Sequence, residues 1–141
     1  MDVQEIQNKD LTTVTISLVG ATPATAANYG VFYIADKGVE LVRLKVTWGV
    51  ASTSGTLDLE RLQGTEALDA GDSLLATVIA TSGTANTVAT KDGLDFNNTI
   101  RETVLSPGDR LALVDAGTLD NLVDLCVTIW LRPVGKGHYQ V

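Results

Sequence analysis

Few residues of this 141-residue chain could do chemistry, and their spacing argues against each in turn. His138 is the only histidine and stands in Gly135-Lys136-Gly137-His138, beyond the last apolar pattern. A general base needs fixed geometry, which a terminal segment does not supply. Cys126 is the only cysteine. It falls inside a strand pattern with no histidine to activate it, so neither a thiol nucleophile nor a cysteine-rich metal site is expected, and an intrachain disulfide is excluded. The run Lys91-Asp92-Gly93-Leu94-Asp95-Phe96-Asn97-Asn98 places oxygen side chains in a loop. It lacks the alternating ligands and closing bidentate glutamate of a calcium loop, and a turn with Asx hydrogen bonds is preferred. Asp58 with Glu60, and Glu66 with Asp69, are carboxylate pairs without any sign of a groove between them. Gly117, Gly135 and Gly137 lie in turns with no helix start behind them, so no phosphate cradle is formed. The chain is therefore expected not to be an enzyme and to hold no cofactor and no metal, and its work falls to binding and assembly.

The elements that must carry such binding are strands. Apolar residues make up 45% of the sequence, charged residues 19% and aromatics 5%, so the core is aliphatic. A chain of this length fits one domain that buries about 68–70% of its unfolded surface. Its net charge of −7 repels phosphate backbones and anionic lipid heads, and the basic residues are scattered. Neither nucleic acid nor a membrane is an expected partner. The opening Met1-Asp2-Val3-Gln4-Glu5 is acidic, with no apolar run of signal-peptide length after it, which predicts cytoplasmic synthesis without export.

Residues 1–10 read as an extended polar arm with Val3 and Ile6 as its apolar anchors, 11–133 as a sandwich domain, and 134–141 as a tail. In Leu11 to Val19, Val14, Ile16 and Leu18 alternate with Thr13, Thr15 and Ser17, the period of two of a half-buried strand. Gly20 to Gly30 reads as a long surface connection. Val31 to Ala35 is a strand that Asp36-Lys37-Gly38 turns into a hairpin with the strand from Val42, where Leu44, Val46 and Trp48 alternate with Arg43, Lys45 and Thr47. Leu57 and Leu59 continue the pattern, and the phase error at Arg61-Leu62 predicts a bulge. Thr65 to Ala80 fits a short helix or a strand equally well. Thr99 to Val104 reads as extended and Arg110 to Val114 as a short strand. The clearest element is the last: Val123, Leu125, Val127, Ile129 and Leu131 alternate with Asp124, Cys126, Thr128 and Trp130, and Pro133 ends it. Trp130 therefore faces away from the leucine and valine row, either as an exposed contact or under a second cover.

Leu-x-x-Gly-Asp-x-Leu occurs at Leu68 to Leu74 and again at Leu105 to Leu111. Gly-Asp before an apolar run is a turn that returns the chain to the core, and two copies fit a pair of related sandwich halves. The pattern predicts an all-β, antiparallel two-sheet sandwich.

Four stretches, Ala27 to Ala35, Ala85 to Val88, Leu105 to Leu113 and Val127 to Pro133, carry a resemblance to the decoration, or cement, proteins on the heads of tailed bacteriophages. The resemblance implies a jelly-roll-like sandwich that forms a homotrimer on the virion surface, binds the major capsid protein and reinforces the shell. The runner-up is a phage fibre or tail-tip domain that recognises host glycans, with Trp130, Trp48 or Tyr33 stacking on a sugar ring.

Overall fold

Ten strands and one short 3-10 turn account for the regular structure of the computed structural model, which describes residues 11–21, 29–97 and 103–134. In chain order the strands are β1 (Thr12–Ala21), β2 (Gly30–Ile34), β3 (Val39–Thr47), β4 (Thr56–Leu62), β5 (Asp72–Ser73), β6 (Ile79–Ala80), β7 (Ala89–Asp92), β8 (Val104–Leu105), β9 (Arg110–Ala116) and β10 (Val123–Pro133). The first sheet runs β1-β10-β3-β7, with β8 also on β3, and the second runs β2-β9-β4-β5, with β6 also on β4. Every pairing is antiparallel. The chain changes sheet between β1 and β2, β2 and β3, β3 and β4, β6 and β7, β8 and β9, and β9 and β10. These alternations interleave the two five-stranded sheets in the manner of a jelly roll. The predicted all-β sandwich is thus the fold observed.

The first sheet is organised by β10. Its inward residues Leu125, Val127, Ile129 and Leu131 are all buried, as their alternation predicts. β1 runs beside it in unbroken register from Thr12 opposite Leu131 to Leu18 opposite Leu125. On the other side Trp130 opposes Arg43 and Leu131 opposes Leu41, so Val42 is an extra residue. This bulge switches the phase of β3: Val39 and Leu41 point inward before it, Leu44 and Val46 after it.

In the second sheet β4 and β9 pair from Thr56 opposite Ala116 to Leu62 opposite Arg110 without a shift. Leu57 and Leu59 join the core between the sheets. The bulge expected at Arg61-Leu62 is absent from this ladder. Leu62 is buried on the opposite, outer face because the segment from Gln63 to Gly71 folds over it. Arg110 holds that segment by donating to the Gly64 and Glu66 carbonyls, and the Glu60 carboxylate accepts the Asp69 N–H at 2.8 Å. Gly71 makes the close approach possible, since a Cβ there would stand 2.2 Å from the Arg61 carbonyl oxygen and 2.8 Å from Leu62 Cδ2. Gly71→Ala is expected to cost about 1–3 kcal/mol through this overpacking, read as a lower urea midpoint at unchanged slope.

Three further expectations need correction. β2 and β3 are not a hairpin: β2 pairs with β9 in the second sheet and β3 with β10 in the first. Asp36 to Gly38 therefore carries the chain across the sandwich, a crossing that periodicity alone cannot distinguish from a hairpin turn. Thr65 to Ala80 is neither a helix nor a continuous strand. It touches β4 twice, at β5 and β6, while Leu74 and Leu75 drop into the core between these contacts. The two Leu-x-x-Gly-Asp-x-Leu turns do not mark two halves. They lead into β5 and β9, which flank β4 in one sheet. Of the stretch expected to be extended before Val104, residues 98–102 lie outside the described residues, as do those of the connection from 22 to 28.

Candidate functional site

The outer face of the first sheet follows directly from these registers. Side chains opposite one another across an antiparallel ladder share a face, so the pairings lay out rows of neighbours. One row reads Thr13, Trp130, Arg43, Asp92, and the next Thr15, Thr128, Lys45, Thr90. Ser17, Cys126 and Thr47 form a third. β-branched threonine suits a pleated strand, and its hydroxyl suits the solvent side, which is why alternating strands give this face its character. Thr15 and Thr128 hydroxyls meet at 3.2 Å, and the Ser17 hydroxyl donates to Cys126 Sγ at 3.7 Å.

Trp130 is half-buried at the centre of this face. The Arg43 guanidinium lies 5.4 Å from its ring centroid and the Lys45 ammonium 5.7 Å. Both cations sit within the range at which a ring quadrupole attracts charge. The result is a surface of hydroxyls around one aromatic ring and two positive charges, on a chain whose net charge is −7. Such a face can make a broad contact with a partner and meet an acidic group at its middle. At its end, Glu40 and Arg132 form an ion pair beside a shallow cleft of about 320 Å³ that Leu41, Phe96 and Thr103 also line.

Of the residues singled out from the sequence, Trp130 is thus placed facing outward, on a surface made by β3 as well as β10. Val3, Ile6 and His138 lie outside the described residues. Trp48 is not available as a platform: it is buried in the core, and its Nε1–H donates to the Gly83 carbonyl. Tyr33 packs partly against the same core. Arg43 and Lys45 were legible only as the charged side of β3; their place over Trp130 depends on two strands distant in sequence becoming neighbours. In the loop that resembles a calcium site, the Asp95 carboxylate accepts the Asp92 N–H at 3.0 Å, and the Asn97 amide donates to the Ser73 and Leu75 carbonyls. Among the described residues no three His, Cys, Asp or Glu side chains gather as a metal ion would require.

Asp58 and Glu60 do share a face of β4, on the second sheet. Burial raises the Asp58 carboxyl above its ordinary value, opposed by hydrogen bonds from the Ser73 hydroxyl and the Leu59 N–H, with Asp69 adding repulsion. Glu60 is raised chiefly by burial too, against N–H groups of Asp69 and Gly71. A raised carboxyl binds more protons folded than unfolded between the two values. Its contribution to stability therefore falls as pH rises through that window and returns on acidification. Asp58→Asn, which keeps an acceptor oxygen, is expected to gain stability relative to the parent as pH rises above about 4, the ordinary aspartate range. Paired thermal melts across that range check this, and a constant difference would contradict it.

No protein-family model matches the chain, and no curated protein matches its sequence. Among solved structures, it is similar to one described as a Bacillus endospore appendage from a novel family of disulfide-linked pili. That likeness has 14% identity, 89% of this chain and 88% of the other covered, and a TM-score of 0.44. It is also similar to the coat protein of tobacco streak virus, with 13% identity, 89% of each chain covered and a TM-score of 0.36. Likeness at this level is too loose to assign the chain a role.

Proposed function

We propose that this chain is a structural protein that acts by binding and assembly, as a decoration protein on the outside of a tailed-phage head. The observation that carries the reading is the outer face of the first sheet. It spans neighbouring strands, is rich in hydroxyls, and is centred on Trp130 beneath Arg43 and Lys45. A surface of that kind suits many weak contacts repeated around a lattice, where avidity supplies the strength that each copy lacks. In this reading the chain forms a homotrimer, seats on the major capsid protein, and stabilises the shell because it binds the assembled form in preference to free subunits.

Purified protein added to undecorated heads should bind to saturation at a fixed ratio to the capsid protein and raise the temperature at which heads open. Absence of saturable binding would defeat the reading. The glycan-recognition alternative is weakened by two placements: Trp48 is buried, and the Trp130 ring already carries two cations. A glycan array with hits that Trp130→Ala abolishes would reverse the order of the two.

A further inference from the structure

Sheet edges offer unpaired backbone groups to any passing strand, and proteins blunt them with charges, bulges or brevity. This sandwich does so at its edges, but unequally. β2 is interrupted by a register shift between Val31 and Tyr33. β5, β6 and β8 are two residues long, and β7 ends in Lys91-Asp92. β1 carries the least: its one irregularity is a register shift between Leu18 and Ala21, at its far end. It is ten residues long, Thr-Thr-Val-Thr-Ile-Ser-Leu-Val-Gly-Ala, with no charge and no proline, and its register stays regular from Thr12 to Leu18. Its only ladder among the described residues is to β10. The inward side chains tell the same story. On β10, Val127 and Ile129 are fully covered, whereas their neighbours Ile16 and Val14 on β1 pack on the core with part of their surface still open.

We infer that β1 pairs with β1 of a second copy, antiparallel, about a two-fold axis through Thr15. The sequence Thr13-Val14-Thr15-Ile16-Ser17 is complementary to itself when reversed. The axis sets Thr15 against Thr15, Val14 against Ile16 and Thr13 against Ser17. Hydroxyls then meet hydroxyls on the outer face, and β-branched apolar pairs close over the core on the inner one. An uncharged strand also suits self-association in an acidic chain, because no like charges meet at the seam. The first sheets of two copies become one continuous sheet, an isologous contact that closes on itself. It does not build a trimer; on the decoration reading it joins one trimer to the next.

The test uses purified protein without phage heads, so it can fail while head binding stands, and the reverse. Sedimentation of the parent over a dilution series should show a larger mass than Thr15→Lys or Thr15→Glu alone, twice it where the free unit is a single chain and more where it is a trimer with three β1 edges, since each variant sets like charges on the axis. Mixing the two variants should restore the larger mass. Thr15 is exposed, and circular dichroism should show both variants folded; Thr13→Lys with Ser17→Lys in one chain sets like charges together twice, should position 15 not tolerate charge. A parent with the same mass as its variants, variants that keep the parent's mass, or a mixture that fails to restore it would each overturn the inference.

Discussion

Trp48→Ala is expected to remove about 3–5 kcal/mol of stability, the range for deleting a buried tryptophan. Against the roughly 5–15 kcal/mol that holds a domain folded, this is a large share. Trp48 follows the last residue of β3 and is 4% exposed. Its Nε1–H donates to the Gly83 carbonyl at 3.2 Å, and its own carbonyl accepts the Asn86 N–H at 2.8 Å. The ring thus fills one end of the core and ties the segment between β6 and β7 over it. Trp48→Phe keeps most of the packing but loses the N–H, and should cost nearer about 1 kcal/mol beyond its lost volume. Denaturant unfolding followed by Trp130 fluorescence separates the two. An alanine variant within about 1 kcal/mol of the parent would mean that this end of the core is not packed as described.

Arg61→Ala is expected to be the other severe change. Arg61 alternates with Leu57 and Leu59 and so points between the sheets, opposite Leu111. Its guanidinium donates to the Val104 carbonyl at 3.0 Å and to Asp72 at 2.8 Å, so it ties β4 of the second sheet to β8 of the first. Loss of these bonds and of the stem packing should cost about 2–4 kcal/mol. Asp72 is half-exposed and can turn to water, however, and Arg61 Nε is buried without a hydrogen-bond partner. The charge itself is therefore imperfectly compensated. Arg61→Met, which refills the space without burying a charge, should recover most of the loss. Equal destabilisation by both substitutions would place the contribution in the ion pair instead of in the packing.

The strands were legible where one face is dry and the other wet. The alternation from Val123 to Leu131, and its counterpart around Val14 and Ile16, comes from the period of the pleat and needs no tertiary information. Reading failed where the covering layer was not a sheet. Leu62 breaks the alternation of β4 because a turn covers the outer face there, and a sequence cannot say which side of a strand a later loop will shelter. The same limit hid the sheet assignment of β2: an apolar run followed by a tight turn looks alike whether the chain doubles back or crosses over. Trp130 was visible as an outward residue of β10. Its two cations were not visible as its neighbours, because β3 becomes adjacent to β10 only when the sandwich closes. The open edge of β1 was likewise invisible, since an edge is defined by a strand that is missing.

The order β1-β10-β3 also fixes when this protein can exist during its own synthesis. The strand that joins β1 to β3 is translated after every other described strand, so the first sheet has no middle until all the others have been made. Contacts of such long sequence separation favour slow folding, on the millisecond-to-second scale. Until then the nascent chain displays two uncovered strand flanks, and a stalled or prematurely ended translation would release a molecule prone to clump.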